Sequence, residues 1–205
     1  MRNALVSDFD GTITAVDFFT LIAERYLPAD TPDFFQLYRE GKMTHVEAMQ
    51  GYFRYAPTQA DALDQMLRDT LPDADLRESV ERLRAAGWDL IVVSAGSSWY
   101  IDRIFGALGI QATVISNAGQ IVEGGGLQID TSSGVDKPAV VRDALARYGT
   151  VAFAGDGPPD VAPALLVNPE LRFAKGYLAE ELGRRGEVFR PFHRWRDVVE
   201  ALVAV

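Results

Sequence analysis

The sequence contains no cysteine, which excludes disulfides, thiolate metal sites and cysteine nucleophiles. Only two histidines occur, His45 and His193, far apart in the chain. That argues against a zinc site of the usual His/Cys kind. Basic residues are in the minority, 20 Lys and Arg against 29 Asp and Glu, for a formal net charge of -9. Without a basic surplus to neutralise phosphates, neither nucleic acid nor an anionic membrane is expected as a partner. A small phosphorylated molecule stays open, because a local site and a metal can outweigh the global charge. No apolar run approaches the ~18 residues needed to span a bilayer. The stretch Met1-Arg2-Asn3-Ala4-Leu5-Val6 reaches Asp8 too soon for a signal peptide, and a cytoplasmic location is the expectation. Monomer and homodimer both remain open.

What is present suits one α/β domain, or one domain with a small insertion, in 205 residues. Three short apolar runs each end in a polar loop. Ala4-Leu5-Val6 runs into Ser7-Asp8-Phe9-Asp10-Gly11, Leu90-Ile91-Val92-Val93 into Ser94-Ala95-Gly96, and Val151-Ala152-Phe153-Ala154 into Gly155-Asp156-Gly157. Each reads as a buried strand. Helical patterns lie between them: Leu76, Val80 and Leu83 with Gly87 as a stop, and Val141, Leu145 and Tyr148 with Pro138 at the first helical position. Strands alternating with helices predict a mostly parallel sheet covered on both faces, with ligands at the carboxyl ends of the strands.

Residues 15–74 differ, being aromatic-rich and helical without a convincing strand. Thr58-Gln59-Ala60-Asp61 resembles a capping box ahead of Leu63, Met66, Leu67 and Leu71 on one face. The expectation is a small helical cap at 15–74, inserted after the first strand into a core formed by 1–14 and 75–205. Gln120-Ile121-Val122 and Leu127-Gln128-Ile129, joined across Gly124-Gly125-Gly126, predict a hairpin.

Asp8 and Asp10 are two residues apart at a strand end and would share a side in a regular strand. Like charges this close repel unless a cation lies between them or one is protonated. Asp156 and Asp160 supply a second pair, making four carboxylates at adjacent strand ends. Oxygen ligands without nitrogen or sulfur suit Mg²⁺. An EF-hand does not explain them, because Thr12 and Ile13 stand where its third ligand and glycine belong. Each piece also has an ordinary reading: Asp-Gly is a common surface turn, Ser94 fits a helix cap, and Lys137 fits a solvated side chain. Yet a lysine at a helix start opposes the helix dipole, and a bound anion or an acidic pair would account for it. No P-loop and no Gly-x-Gly-x-x-Gly fingerprint is present.

The order Asp8-Phe9-Asp10-Gly11-Thr12, then Ser94, then Lys137, then Gly155-Asp156-Gly157-Pro158-Pro159-Asp160 resembles the motif set of haloacid dehalogenase-like phosphatases. The resemblance covers residues 5 to about 175 and implies a Rossmann-like core. It implies Asp8 as nucleophile and Asp10 as acid and base. It implies Mg²⁺ held by Asp8, Asp10 through its carbonyl, and Asp156, with Asp160 a ligand or a support. Ser94, Ala95, Gly96, Lys137 and Thr12 would meet the phosphoryl group of a small phosphorylated metabolite. An insertion directly after the first motif resembles the phosphoserine phosphatase branch, with Asp17 where that branch carries a cap-entrance glutamate. Its cap arginine is replaced by Tyr52, with Arg54 nearby, and Pro159 replaces an asparagine. Asp8 to Thr14 with Asp17, and Arg172-Phe173-Ala174-Lys175-Gly176-Tyr177-Leu178, resemble more closely the 2-hydroxy-3-keto-5-methylthiopentenyl-1-phosphate phosphatase group of methionine salvage. The aromatics Phe18, Phe19, Tyr52, Phe53 and Tyr55 either face an apolar substrate or form the cap core. A dehalogenase is disfavoured, since Asp10 supplies an acid and base that carbon–halogen chemistry does not use. A non-catalytic binding protein on the same fold is the other class left open.

Overall fold

The computed structural model describes residues 2–132 and 134–204. The chain opens with strand β1 (Asn3–Ser7) and then four helices, α1 (Phe18–Tyr26), α2 (Phe34–Arg39), α3 (His45–Phe53) and α4 (Ala60–Asp69). There follow α5 (Leu76–Ala85), β2 (Trp88–Ser97), α6 (Ser98–Leu108), β3 (Thr113–Asn117) and the strands β4 (Gly119–Val122) and β5 (Gly126–Ile129). The remainder is α7 (Lys137–Arg147), β6 (Val151–Gly155), α8 (Val161–Ala164), β7 (Arg172–Ala174), α9 (Gly176–Arg184), β8 (Arg190–Pro191) and α10 (Trp195–Val203).

Six strands form one sheet in the order β3-β2-β1-β6-β7-β8, with every pairing parallel. In β1 the side chains alternate between faces. Leu5 joins the core beneath α5, α6 and α10, while Ala4 and Val6 join the core beneath α7, α8 and α9. That two-sided burial is why the run reads as continuously apolar rather than alternating. β4 and β5 pair as the expected hairpin, Ile121 opposite Leu127. The strands β3, β7 and β8 carry too little apolar sequence to stand out; β7 has three residues and β8 two.

Helices α1–α4 lie between β1 and α5, and the ends of this insertion meet. The N–H groups of Ala15 and Val16 donate to the Thr70 carbonyl at 3.1 Å, and Thr14 bridges Pro72. Against the core, Gln50 on α3 grips the free edge of β5. Its Nε2 donates to the Leu127 carbonyl (3.2 Å) and its Oε1 accepts from the Ile129 N–H (2.7 Å).

Four local expectations need correction. The capping box at Thr58 does not form: α4 starts after Gln59 with no side-chain cap, and its buried face is Leu63 and Met66. Leu71, expected on that face, has left the helix with φ of 52° and is exposed. In α7 the buried stripe is Lys137, Val141 and Ala144, so Leu145 points outward, and Pro138 stands second behind Lys137. Asp136 caps that helix by accepting the Ala139 N–H at 2.9 Å. Among the described residues, no helix is long and apolar enough to cross a membrane.

Candidate active site

The carboxyl ends of β1 and β6 run into the polar loops that the sequence singles out, whereas Ser94-Ala95-Gly96, expected in a loop after Val93, lies within β2, which continues to Ser97 with a register shift against β3. Strand β1 stops at Ser7, so Asp8 and Asp10 are not a same-side pair of a regular strand. The Phe9 carbonyl gathers the N–H groups of Thr12, Ile13 and Thr14, winding the backbone into a turn. Gly11 allows that turn at φ of 69°, and a Cβ there would lie 2.5 Å from Asp156 Oδ2. The turn sends the two carboxylates to different partners.

Asp8 Oδ1 accepts from the Phe9 N–H at 2.7 Å and from Lys137 Nζ at 2.9 Å. Lys137, buried to 3% exposure, also donates to Asp160 Oδ1 at 2.7 Å. The acidic pair is therefore the reason for a lysine at the start of α7. Asp160 Oδ2 in turn accepts the N–H groups of Asp156 (3.1 Å) and Gly157 (3.0 Å). With both oxygens engaged, Asp160 supports the Asp156 loop and the lysine. Asp156 Oδ1 accepts the Thr12 hydroxyl at 2.6 Å. Thr12, expected at the phosphoryl group, is thus committed to Asp156. Among the described residues, Asp8, Asp156 and Asp160 form the one acidic trio in which one oxygen from each lies within 4.8 Å of the others. The expected fourth carboxylate, Asp10, stands apart. Its Oδ1 accepts the Phe18 N–H (3.1 Å), and its Oδ2 accepts the hydroxyls of Tyr100 (2.5 Å) and Ser94 (3.2 Å).

The Ser94 Oγ also accepts the Gly96 N–H at 2.9 Å. Asn117 at the end of β3 fixes the same irregular end of β2, its Nδ2 donating to the carbonyls of Ala95 (2.7 Å) and Gly96 (3.1 Å). Asp17, at the entrance to the insertion, shares an open cavity of about 360 Å³ with Gly11, Asp156 and Lys175. Tyr52, expected at a substrate, is instead buried inside the insertion. Its ring packs on Phe34, Phe35 and Phe19, and its hydroxyl meets Asp33 Oδ1 at 3.2 Å. Arg54 is exposed, with its guanidinium 5.9 Å over the Tyr55 ring. Of the other aromatics, Phe18 and Phe53 are fully buried in the core. Three residues were given no role at the site by the sequence: Tyr100; Lys175, whose Nζ donates to the Thr12 carbonyl at 3.3 Å; and His45, close enough for the charge of Lys137 to act on it. Tyr100 and His45 stand in no motif, whereas Lys175 lies within the Arg172–Leu178 segment that carries the closer resemblance.

Burial, together with the neighbouring Asp160, pushes Asp8 well above the usual carboxylate range. Burial also raises Asp10, although hydrogen bonds from Tyr100, Phe18 and Ser94 pull it back. Asp156 rises to about 6, mainly through burial. Asp17 rises to about 7 through burial and the charges of Asp10 and Asp156. Burial would lower Lys137, but Asp160 and Asp8 outweigh it and hold the ammonium above its ordinary value.

These shifts set a pH dependence of stability. A carboxyl whose pKa is raised in the folded state binds its proton more tightly there, so its contribution is greatest at low pH and is lost as pH rises through the folded value. With Asp156 at about 6 and Asp17 at about 7, the metal-free protein should lose stability between pH 5 and 8. His45, lowered by burial and Lys137, works weakly in the opposite sense below its ordinary value. A midpoint drop on the order of 5 °C across that range is expected, shrinking when Mg²⁺ is added because a cation favours the ionised cluster. Melting curves that are flat with pH in EDTA would contradict this account.

The model of the haloacid dehalogenase-like hydrolases matches residues 5–164. The chain belongs to this family. Among curated relatives, a 2-hydroxy-3-keto-5-methylthiopentenyl-1-phosphate phosphatase from Geobacillus kaustophilus is 24% identical over 210 residues, spanning 97% of this chain and 94% of the relative. A haloacid dehalogenase family hydrolase from Salmonella enterica serovar Typhi superposes with a TM-score of 0.75 at 18% identity, over 98% of this chain and 70% of that one. A phosphoserine phosphatase from T. onnurineus superposes at 0.66 with 17% identity, over all of this chain and 96% of that one. Similarity at these identities shows that the fold is shared.

Proposed function

We propose that this member of the family is a Mg²⁺-dependent phosphomonoester hydrolase acting on a small phosphorylated metabolite. The observation that carries the reading is Asp8 itself. It is a buried carboxylate at a strand end, with one oxygen held by Lys137 and the Phe9 N–H and no hydrogen bond to the other among the described residues. Held this way, Asp8 attacks phosphorus with one oxygen while Lys137 offsets the charge on the incoming phosphate. The ester P–O bond breaks with its electron pair on the departing oxygen, and Asp10 gives that oxygen a proton. Asp10 then takes a proton from water as the water oxygen attacks phosphorus, releasing Asp8 and orthophosphate. Ser94 and the Ala95–Gly96 backbone, braced by Asn117, bind the phosphoryl oxygens.

The hard-oxygen donor set suits Mg²⁺. Asp8, Asp156 and the Asp10 carbonyl would hold it, with Asp160 behind them. When bound it supplies charge neutralisation between the phosphate and the carboxylates. Residues 15–74 would act as the cap, excluding water.

For the substrate, the Geobacillus kaustophilus relative and a second one from Bacillus pumilus, 22% identical over 205 residues, carry the name of the 2-hydroxy-3-keto-5-methylthiopentenyl-1-phosphate phosphatase, and that ester is the first to test. A phosphoserine reading is less favoured, because exposed Arg54 and core-packed Tyr52 leave that position without a cation for a serine carboxylate. Hydrolysis of p-nitrophenyl phosphate should require Mg²⁺ and fall at least about 100-fold in EDTA. On the two candidate metabolites, kcat/KM should favour the methylthio ester by roughly tenfold or more. Full activity in EDTA would end the metal-dependent reading, and a preference for phosphoserine would reassign the substrate.

A further inference from the structure

Asp10 has to do two jobs in the proposed reaction, and both demand that one carboxylate oxygen face the reacting phosphate. Its side chain is only partly buried and lies outside the three-carboxylate cluster, and neither the cluster nor Lys137 orients it through a hydrogen bond. The shortest hydrogen bond it makes is from the Tyr100 hydroxyl, at 2.5 Å to Oδ2. Tyr100 is 0% exposed and comes from α6, a helix that no catalytic motif reaches.

We infer that Tyr100 is a positioning residue for the Asp10 acid and base: its hydroxyl pins Oδ2 and so aims the other oxygen for proton transfer. The assignment rests on the phosphatase reading above. Three features of the packing make this hydroxyl a fixed point. The Tyr100 ring stacks on Phe18 at 4.5 Å and 17°, and meets Phe9 at 6.1 Å and Phe53 at 6.2 Å. The ring therefore has no room to swing. Phe18, beneath that stack, is the same residue whose N–H holds Asp10 Oδ1 at 3.1 Å, so backbone and ring act on one carboxylate from adjoining sides. Gly96 lies directly under the hydroxyl: a Cβ there would overlap Tyr100 Oη and lie 2.8 Å from Asp10 Oδ2. A glycine at that point is needed for the tyrosine to reach the aspartate, apart from any role in phosphate binding.

A tyrosine that only filled the core would matter equally for every substrate. One that positions an acid and base matters according to the leaving group. Tyr100→Phe keeps the ring stack and removes only the hydroxyl. Single-turnover rates of the first step should fall roughly tenfold or more on glycerol 2-phosphate, whose alkoxide must be protonated. On p-nitrophenyl phosphate, whose leaving group needs no proton, that step should change less than about threefold. Because Asp10 must still activate water, acid-trapped phosphoenzyme should accumulate on p-nitrophenyl phosphate above the wild-type level, with steady-state KM falling in step with kcat, while the half-saturating concentration in single turnovers should stay within about twofold. Thermal melting reports whether the variant is folded, and Tyr100→Met, which also lacks a donor, must show the same leaving-group pattern. Rates for both variants within twofold of wild type on glycerol 2-phosphate, or equal losses on both substrates, overturn the assignment. A wild-type protein that hydrolyses neither ester overturns it together with the phosphatase reading, whereas an Asp10→Asn variant as active as wild type on both overturns it through the role given to Asp10 and leaves the phosphatase reading standing.

Discussion

Asp8→Asn should abolish turnover while making the metal-free protein more stable. The side chain sits 2.7 Å from the Phe9 N–H and 2.9 Å from Lys137 through Oδ1, and an asparagine carbonyl oxygen can accept both bonds. The shape of the loop is therefore kept. What is lost is the nucleophilic carboxylate, and a reaction that passes through a covalent aspartyl-phosphate has no substitute for it. Removing a nucleophile costs roughly 10⁴-fold or more in turnover. Burial and the nearby Asp160 charge hold the Asp8 carboxyl well above its usual range, so ionising it costs more in the folded state than in the unfolded chain. Neutralising it relieves the repulsion, and the denaturation midpoint in EDTA should rise. Rapid-quench assays and chemical denaturation measure the two effects. Activity above a few per cent of wild type would sink the covalent mechanism, and a lower midpoint would mean that the carboxylate is a net stabilising charge.

Lys137→Met should give the opposite combination, with activity and stability falling together. Its ammonium stands between Asp8 at 2.9 Å and Asp160 at 2.7 Å, with side chains only 3%, 11% and 0% exposed in the order Lys137, Asp8, Asp160. Methionine fills much of the space but leaves two buried carboxylates facing each other. Removing one partner of a buried ion pair costs about 3–5 kcal/mol, because the remaining charge is desolvated and unpaired. The carboxyls can escape part of that cost by taking up protons. The loss should therefore be smaller at pH 5 than at pH 8, and Mg²⁺ should restore part of it at pH 8. Turnover should fall by roughly 10²–10³-fold as charge stabilisation at phosphorus disappears. Urea denaturation at both pH values, with and without Mg²⁺, tests this. A loss below about 1 kcal/mol at pH 8 would mean that the aspartates already share a proton in the wild type.

Much of this architecture was legible in the sequence because its carriers are local. Ala4-Leu5-Val6, Leu90 to Val93 and Val151 to Ala154 are apolar over their whole length, and only a strand covered on both faces needs that. The polar residues that follow these apolar runs, Asp8, Asp10, Ser94 and Asp156, stand next to them in the chain, so their place at one edge of the sheet follows from the runs alone. Lys137 could be singled out because a cation opens a helix where the dipole disfavours it. Its acidic partner Asp160 lies 23 residues away and is reached through the register of β1 beside β6.

The remainder depended on contacts that no short window of sequence contains. Thr12 belongs to a phosphate-binding pattern by position, yet its hydroxyl goes to Asp156, 144 residues distant. Tyr52 stands where the resemblance places a substrate-binding cap arginine, yet the interior of the insertion claims its ring. Tyr100 is one aromatic among many in the sequence and becomes the strongest hydrogen-bond partner of Asp10 only when α6 swings it over Gly96. Strand, turn and charge order are written in residues a few positions apart, because backbone geometry and burial period act at that range. Which hydroxyl meets which carboxylate is decided by helices packed across the sheet, where an ångström of placement separates a hydrogen bond from a core contact.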